Sequence, residues 1–422
     1  MAQHKDLTGT NLHEPKDMAA AAAGLVYISD GAGSGDFTKF KPDNVKYINA
    51  MSDFPTPSGG IITLEDNICY AIGTPLSTAD RFVAGANNRI TCNGTEGPLL
   101  AYTGTGSMFS GTDVNFQVDQ AHLDCPNGML LEFSAAGGTG IIRFDNTKLD
   151  NAAQLGEFTD IQGLVFSRCA LLNMDQGIEL LGTAQVAIFS CEKLRTLTTS
   201  ATFKCFEFNS IACSTLEIDD VIFDGPAGAI ALSGAAASAN VVANKLAVVS
   251  SCEFDPDMTA LSGIVNSDIR WEFENNSGVV DSFKAADTFI TATQTVTITT
   301  QSVFVVIDGA GWTSDVASRF TTDAAGKLTY ISEVDASFLV SGVATIEKTA
   351  GGTDVLEMRV SKNGTPLAKS SSFTETATPA TVSSQALVDL TLGDTIELAV
   401  ANNSSTGNID VQVANLTARA SG

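Results

Sequence analysis

The sequence is poor in the residues that catalysis most often draws on. Only three histidines, His4, His13 and His122, occur in 422 residues, and no serine sits in a GxSxG elbow, so a nucleophile and base have almost nothing to be built from. No two cysteines form a CxxC pair and no histidine lies near a cysteine pair, which argues against a zinc site. The N-terminus, MAQHKDLTGTNLHEPKD, lacks the apolar core of a signal peptide. The eight cysteines are therefore expected to be reduced thiols of a protein made and assembled in a cytosol. No apolar run approaches the ~18 residues of a membrane helix, so no membrane insertion is expected. The chain has two Trp and five Tyr, few of the flat amphipathic rings that line sugar grooves. Cations are scarce too: 23 Lys and Arg stand against 48 Asp and Glu, for a net charge of −25. Residues 61–289 hold 11 of those cations and 28 of the acids. Such a surface repels nucleic acid, which is bound through neutralising Lys and Arg. The glycine-rich DGAGSGD lacks both the P-loop lysine and the spacing of a dinucleotide fingerprint. It reads as a turn, and no cofactor or metal is expected.

What the chain has is rhythm. Phe144, Phe166 and Phe189 close the apolar runs IIRFDN, GLVFSRC and VAIFSC at steps of 22 and 23 residues. Related runs return near Phe223, Cys252 and Trp271. A period of this length, made of short strands without a helical pattern between them, predicts a solenoid of stacked coils. Asp, Asn, Ser and Gly end the runs and suit the corners. Cys69 and Cys92 are 23 apart and Cys169 and Cys191 are 22 apart, so sulfur is expected to return to one corner of successive coils. Fifteen of the 23 Phe lie between Phe109 and Phe289, bulk for a long, narrow core. Roughly eight to ten coils at about 4.8 Å each would span about 40–50 Å. NICYAIGTPL and the Asn93-Gly94 turn read as the first coils, and SGAAASAN near Ala236 as an interrupting loop.

After Phe289 the pattern changes to two-residue alternation rich in Thr and Val, the mark of half-buried antiparallel strands. FITATQTVTITTQSVFVVI, ASFLVSGVATIEK, VLEMRVSK and IDVQVANLTARA follow at sandwich-like spacing. Asn363-Gly364 predicts a tight hairpin. The polar loops TTDAAGK near Asp323, KTAGGTD near Gly351 and NNSSTGN near Ser404 are candidate exposed tips.

Two stretches resemble a known family. HKDLTGTNLHEPK, followed by GLVYISDGAGSG, is similar over about the first 35 residues to the N-terminal segment of many tailed-bacteriophage virion proteins: tail fibres, tail spikes and head fibres. The resemblance implies attachment to the particle through His4, Lys5, Asp6, Leu7, Thr8, Gly9, Leu12, His13, Glu14, Pro15 and Lys16. LTLGDTIELAVAN resembles late strands of the tumour-necrosis-factor or C1q jelly-roll heads that end many phage fibres and are usually trimeric. The expected architecture is all-β: an attachment segment (1–60), a right-handed parallel β-helix (61–289) and an antiparallel jelly-roll β-sandwich (290–422). The expected function is a homotrimeric, non-enzymatic virion fibre or spike. Its partners would be phage head or tail proteins at one end and a host-surface receptor or glycan at the other.

The alternative is a glycan-cleaving tail spike. Cleavage needs two carboxyl groups about 5–9.5 Å apart, and the solenoid offers Asp145, Asp150, Asp160, Glu179, Glu217, Asp219, Asp220, Asp224, Asp255 and Asp257. Against it stand the scarcity of Trp and Tyr and the expectation that Trp271 closes the last coils rather than stacking on sugar. His122 is expected to be structural. The acids of IDD (Asp219, Asp220) and DPD (Asp255, Asp257) lack a calcium-loop pattern.

Overall fold

In the computed structural model the described residues are 28–29, 35–36, 44–92, 99–136, 139–235, 239–265, 267–350, 352–376 and 378–421. The attachment segment His4 to Lys16, the Asn93-Gly94 turn and the centre of the Ala236 loop lie outside them. The chain divides into two compact units, Met1–Glu207 with Ile222–Ala231, and Phe208–Val221 with Leu232–Gly422.

The first unit is solenoid. Each coil contributes one short strand to each of three parallel sheets, and the whole solenoid makes about nine turns, with nine, ten and eight strands in its sheets. Parallel pairing begins with Val45–Ile48 on Cys69–Ile72, inside the stretch read as attachment segment. Within a strand, buried and exposed positions alternate, as in Ile141–Asp145, because successive side chains point to opposite faces. The inward positions stack. Phe54, Phe82, Phe109, Phe116 and Phe133 follow one another at ring-centroid distances of 5.0 to 5.1 Å, and Phe158 continues at 6.3 Å. This ladder is the spine of the core.

The corners are left-handed. Gln120, Asn146, Arg168 and Lys193 have φ between 48° and 55° and occupy equivalent bends in successive coils. The amide of Asn146 donates to the Ser167 carbonyl at 2.8 Å, and that of Arg168 to Glu192 at 2.8 Å. Asn suits this conformation through its short polar side chain. Arg168 is held there by its hydrogen bond to the next coil, so a corner need not be readable from residue type.

Two details of the expected rhythm are corrected. Phe144 and Phe166 are in register, but Phe166 pairs with Cys191 and Phe189 with Leu164, so that coil is 25 residues and not 23. A slip of two residues still sets one inward residue on another, and for this reason spacing of Phe alone misses it. Cys69 pairs with Arg89, and Cys92 with Ile72, so these sulfurs share no corner. All eight thiols are free, seven of them buried, as small apolar fillers.

The second unit carries the last coils and the antiparallel sheets. Cys213–Asp219, Ala247–Ser250 and Trp271–Glu274 pair in parallel register. Trp271, 1% exposed, meets Phe208 edge-on at 5.9 Å and stacks on Phe273 at 6.0 Å, which closes the coils as expected. Antiparallel pairing starts at Ala285–Ile290 on Ile409–Ala420. One sheet runs from Ala285–Ile290 through Ile409–Ala420 and Ala336–Lys348 to Ala380–Leu390. The other joins Leu328–Tyr330, Thr395–Asn402 and Asp354–Lys362. Between them Phe320, Tyr330 and Phe338 cluster at 5.1 to 5.2 Å. Asn363 and Gly364 have φ of 51° and 74°, the tight hairpin their order predicted.

The last coils are fastened to these sheets by three cations. Arg319, 2% exposed, donates to the carbonyls of Asp268 and Trp271. Arg270 holds Glu333 through two nitrogens at 2.9 and 2.7 Å, and Lys284 pairs with Glu272 at 2.9 Å.

Candidate functional site

Most of the acids singled out in the sequence brace the coils. Asp145 accepts the Arg168 Nη2 on its two oxygens at 2.7 and 2.9 Å and the Nε at 3.2 Å. Asp160 sits at a left-handed corner and accepts the amides of Thr183 and Ala184, both at 2.6 Å. Those amides hold its carboxyl below the usual carboxylate range. Burial raises the pKa of Asp150, but hydrogen bonds from Lys148, Asn173 and His122 outweigh it and leave the carboxyl below its ordinary value. His122 Nε2 lies 3.3 Å from Asp150. Asp219 accepts from Ser250 at 2.7 Å, Asp220 forms a corner at φ 53°, and Asp224 lies 3.8 Å from Arg195. Asp255 closes a turn onto the Asp257 amide at 2.8 Å. Glu217 pairs in register with Val248. Asp145 and Asp150 stand in register with Asp119 and Asp124 of the preceding coil, and Asp119, Asp145 and Asp150 are each held by a cation, Arg89, Arg168 and Lys148 respectively.

Glu179 also has acidic neighbours. It pairs in register with Glu157 below and Glu207 above, and Glu157 with Glu132. Four glutamates of successive coils thus form one column on the outer face of one sheet. At about 4.8 Å per coil their Cα atoms fall about 5 Å apart between neighbours and about 10 Å apart at alternate coils, which puts the spacings used by glycosidases within reach of their side chains. Sequence reading missed three of the four. A signal was present, since Glu132, Glu157 and Glu207 each precede a buried Phe, but unequal coil lengths hid the alignment.

A groove of about 460 Å³ runs beside the lower half of this column, with Arg81, Ser110, Glu132, Ser134, Glu157 and Thr159 among its walls. A smaller hollow of about 70 Å³ adjoins the upper half between Gln154, Gln176, Glu179, Lys204 and Glu207. Arg81 donates to Ser110 at 3.0 Å, Ser107 to Glu132 at 2.7 Å, and Lys204 pairs with Glu207. Groove and hollow together are lined by carboxylates, hydroxyls, carboxamides and two cations, and the ring that borders the groove, Phe133, is 2% exposed and offers no flat face.

Other chemistry has little purchase. Burial pushes the Cys92, Cys213 and Cys252 thiols up to about 12, and Cys205 well above its ordinary value, so these thiols are poor nucleophiles at neutral pH. Among the described residues no group of three or more His, Cys, Asp or Glu could hold a metal ion. No helix among them is long and apolar enough to cross a membrane.

No protein-family model matches the chain, and no curated protein does. Solved structures give loose similarities. The tailspike protein of E. coli bacteriophage HK620 is 8% identical, covering 90% of this chain and 86% of that one at a TM-score of 0.25. The enzymatically active domain of bacteriophage CBA120 tailspike protein 4 is 8% identical, covering 85% and 68% at 0.24. Eiger TNF from S. frugiperda is 15% identical and covers 33% of this chain and 92% of that one, also at 0.24. Superpositions this loose carry no inference about activity.

Proposed function

We propose that this chain is a phage virion fibre or short spike, anchored by its N-terminal segment and presenting its C-terminal sheets to a host surface as a homotrimer. The observation that supports it most is the fastening of coils to sheets. Arg319, Arg270 and Lys284 bind the solenoid's last coils to the antiparallel sheets through buried or half-buried bonds. Sheets bonded in this way to the coils that precede them suit attachment under load. Purified full-length protein, added in excess, is expected to slow adsorption of the particles to host cells, and gold-labelled antibody is expected to mark the particle surface. Unchanged adsorption at saturating protein would remove the attachment role.

Trimer formation finds support on one sheet. Leu339, Val343, Leu387 and Val413 are 43% to 57% exposed on its outer face, and Leu339 lies opposite Leu387. No ionisable residue occurs in 339–345, 381–387 or 413–417. Copies of a chain with a net charge of −25 repel one another over most surfaces, and this neutral apolar face permits approach. Leu387→Asp is expected to shift the sedimenting species from trimer to monomer, while Thr321→Asp on the other sheet leaves it unchanged.

A second reading, glycan cleavage, is favoured by the column of glutamates along the groove. If it holds, the protein releases reducing ends from host envelope polysaccharide, and Glu157→Gln or Glu179→Gln lowers that rate by about 10²-fold or more. A wild-type protein that binds cells and releases no sugar excludes it.

A further inference from the structure

The same antiparallel unit carries a second uncharged surface, at one end of its strands. Ala336–Lys348 is a 13-residue strand that begins three residues after Glu333, at the fastening to the coils. It therefore delivers Lys348 about 40 Å away. Around Lys348 three segments are knitted together: 297–304, 348–350 and 402–408. Gln301 donates to the Asn403 carbonyl at 2.7 Å and the Ser302 amide to Asn402 at 2.9 Å. The Thr349 amide reaches Asn408 at 3.0 Å, and Asn408 accepts the Ile298 amide at 3.1 Å.

The knot is centred on Asn402, which is wholly buried. Its side chain donates to Asp354 at 2.7 Å and to Gly407 at 3.0 Å, and accepts the amides of Ser404 and Ser405, both at 3.0 Å. Lys348 and Asp354 neutralise each other at 3.1 Å, with side chains 17% and 8% exposed. No other ionisable residue occurs in the three segments, and the two that touch them, Glu357 accepting from Asn403 at 2.8 Å and Arg359 over the Phe304 ring at 4.4 Å, pair with each other at 2.6 Å with side chains 4% and 22% exposed. What faces solvent is mostly hydroxyl and amide: Thr300, Gln301, Thr349, Ser404 and Thr406 are exposed, with Val303, 50% exposed, as the one large apolar side chain among them. The TTDAAGK turn does not belong here. It follows Phe320–Thr322 and precedes Leu328–Tyr330, which pairs with the start of Thr395–Asn402, the other end of that strand. Asp323 closes it onto the amides of Ala325 and Lys327, both at 3.0 Å.

We propose that this end is the surface that meets the host and that its ligand is an uncharged, hydroxyl-rich glycan; the inference rests on the attachment reading above. A surface whose charges are paired with one another offers no free charge to select an anion or a cation, while hydroxyls and carboxamides donate to and accept from sugar hydroxyls. A protein partner would find no anchor of the usual kind, since the three segments contain no Trp, Tyr, Met or Arg. The bonds around Asn402 order the loops before binding and so reduce its entropic cost. Weak contacts at each copy then gain by repetition on one particle.

The test uses labelled full-length protein on host cells. Wild type is compared with Thr300→Glu combined with Thr406→Glu, with the isosteric Gln301→Glu, and with Ala324→Glu in the excluded turn. Cells are used untreated, after periodate, which cleaves vicinal diols, or after protease. The expected result is about a tenfold loss of binding for the double variant, the equivalent of one good polar contact. A smaller loss is expected for Gln301→Glu and none for Ala324→Glu, with periodate and not protease removing the wild-type signal. Undiminished binding by the double variant and Gln301→Glu overturns the surface. Loss to protease with survival of periodate overturns the ligand. Wild-type protein that binds no untreated host cell overturns the attachment reading itself, and this inference with it.

Discussion

Phe116→Ala is expected to cause the largest loss of stability of any single core truncation in the first unit, about 3–5 kcal/mol. Phe116 is 1% exposed and lies between Phe109 and Phe133, each 5.1 Å from its ring. Truncation therefore removes one buried side chain, two aromatic contacts worth about 0.5–1.5 kcal/mol each beyond area, and the filling of a cavity that parallel ladders on three sides cannot collapse into. In a solenoid each coil is stabilised mainly by its neighbours, so the loss falls on the interfaces above and below. Large β proteins often unfold irreversibly, and the measurement is accordingly the thermal midpoint at one fixed scan rate. Phe373→Ala, at a site 58% exposed, is the control and should change little. A midpoint for Phe116→Ala equal to that of the control would mean that the ladder does not support the core.

Arg319→Ala is expected to destabilise the second unit by about 3 kcal/mol. The guanidinium is 2% exposed, burial lowers its pKa, and it donates to two carbonyls at the end of the coils. Removing it leaves both carbonyls short of a donor, together with a void. Its Nε is buried with no partner among the described residues, so the site is not optimal for stability in itself. The cost of burying the charge is offset only while both carbonyl bonds are made. Arg319→Lys, which can still donate, should recover part of the loss, and Arg319→Met should not. Equal midpoints for wild type and Arg319→Met would show that shape alone secures the joint.

Much of the architecture was legible before any coordinates. Inward residues must be apolar and must alternate along a strand, so Ile142 and Phe144, or Leu164 and Phe166, announce short strands that recur. The switch to Thr- and Val-rich alternation announces the antiparallel sheets, and Asn363-Gly364 their hairpin. The candidate groove was not legible to the same degree. Glu179 was named for its residue type alone, while Glu132, Glu157 and Glu207 went unnoticed, because coils of unequal length place them at unequal steps in the chain. Corner residues such as Arg168 likewise gave no sign of their left-handed conformation, which a neighbouring coil's carbonyl supports.

The division has one cause. Whether a residue faces inward or outward is a local property, set by the two-residue period of a strand and the solubility of its side chain, and the amino-acid order alone determined it throughout the coils and sheets. Which residues become neighbours from coil to coil is a matter of register, set by how many residues each corner absorbs and by the hydrogen bonds that hold it. Only the folded chain decided that Phe189 sits over Leu164, that four glutamates share one column, and that Arg319 reaches the carbonyls of Asp268 and Trp271.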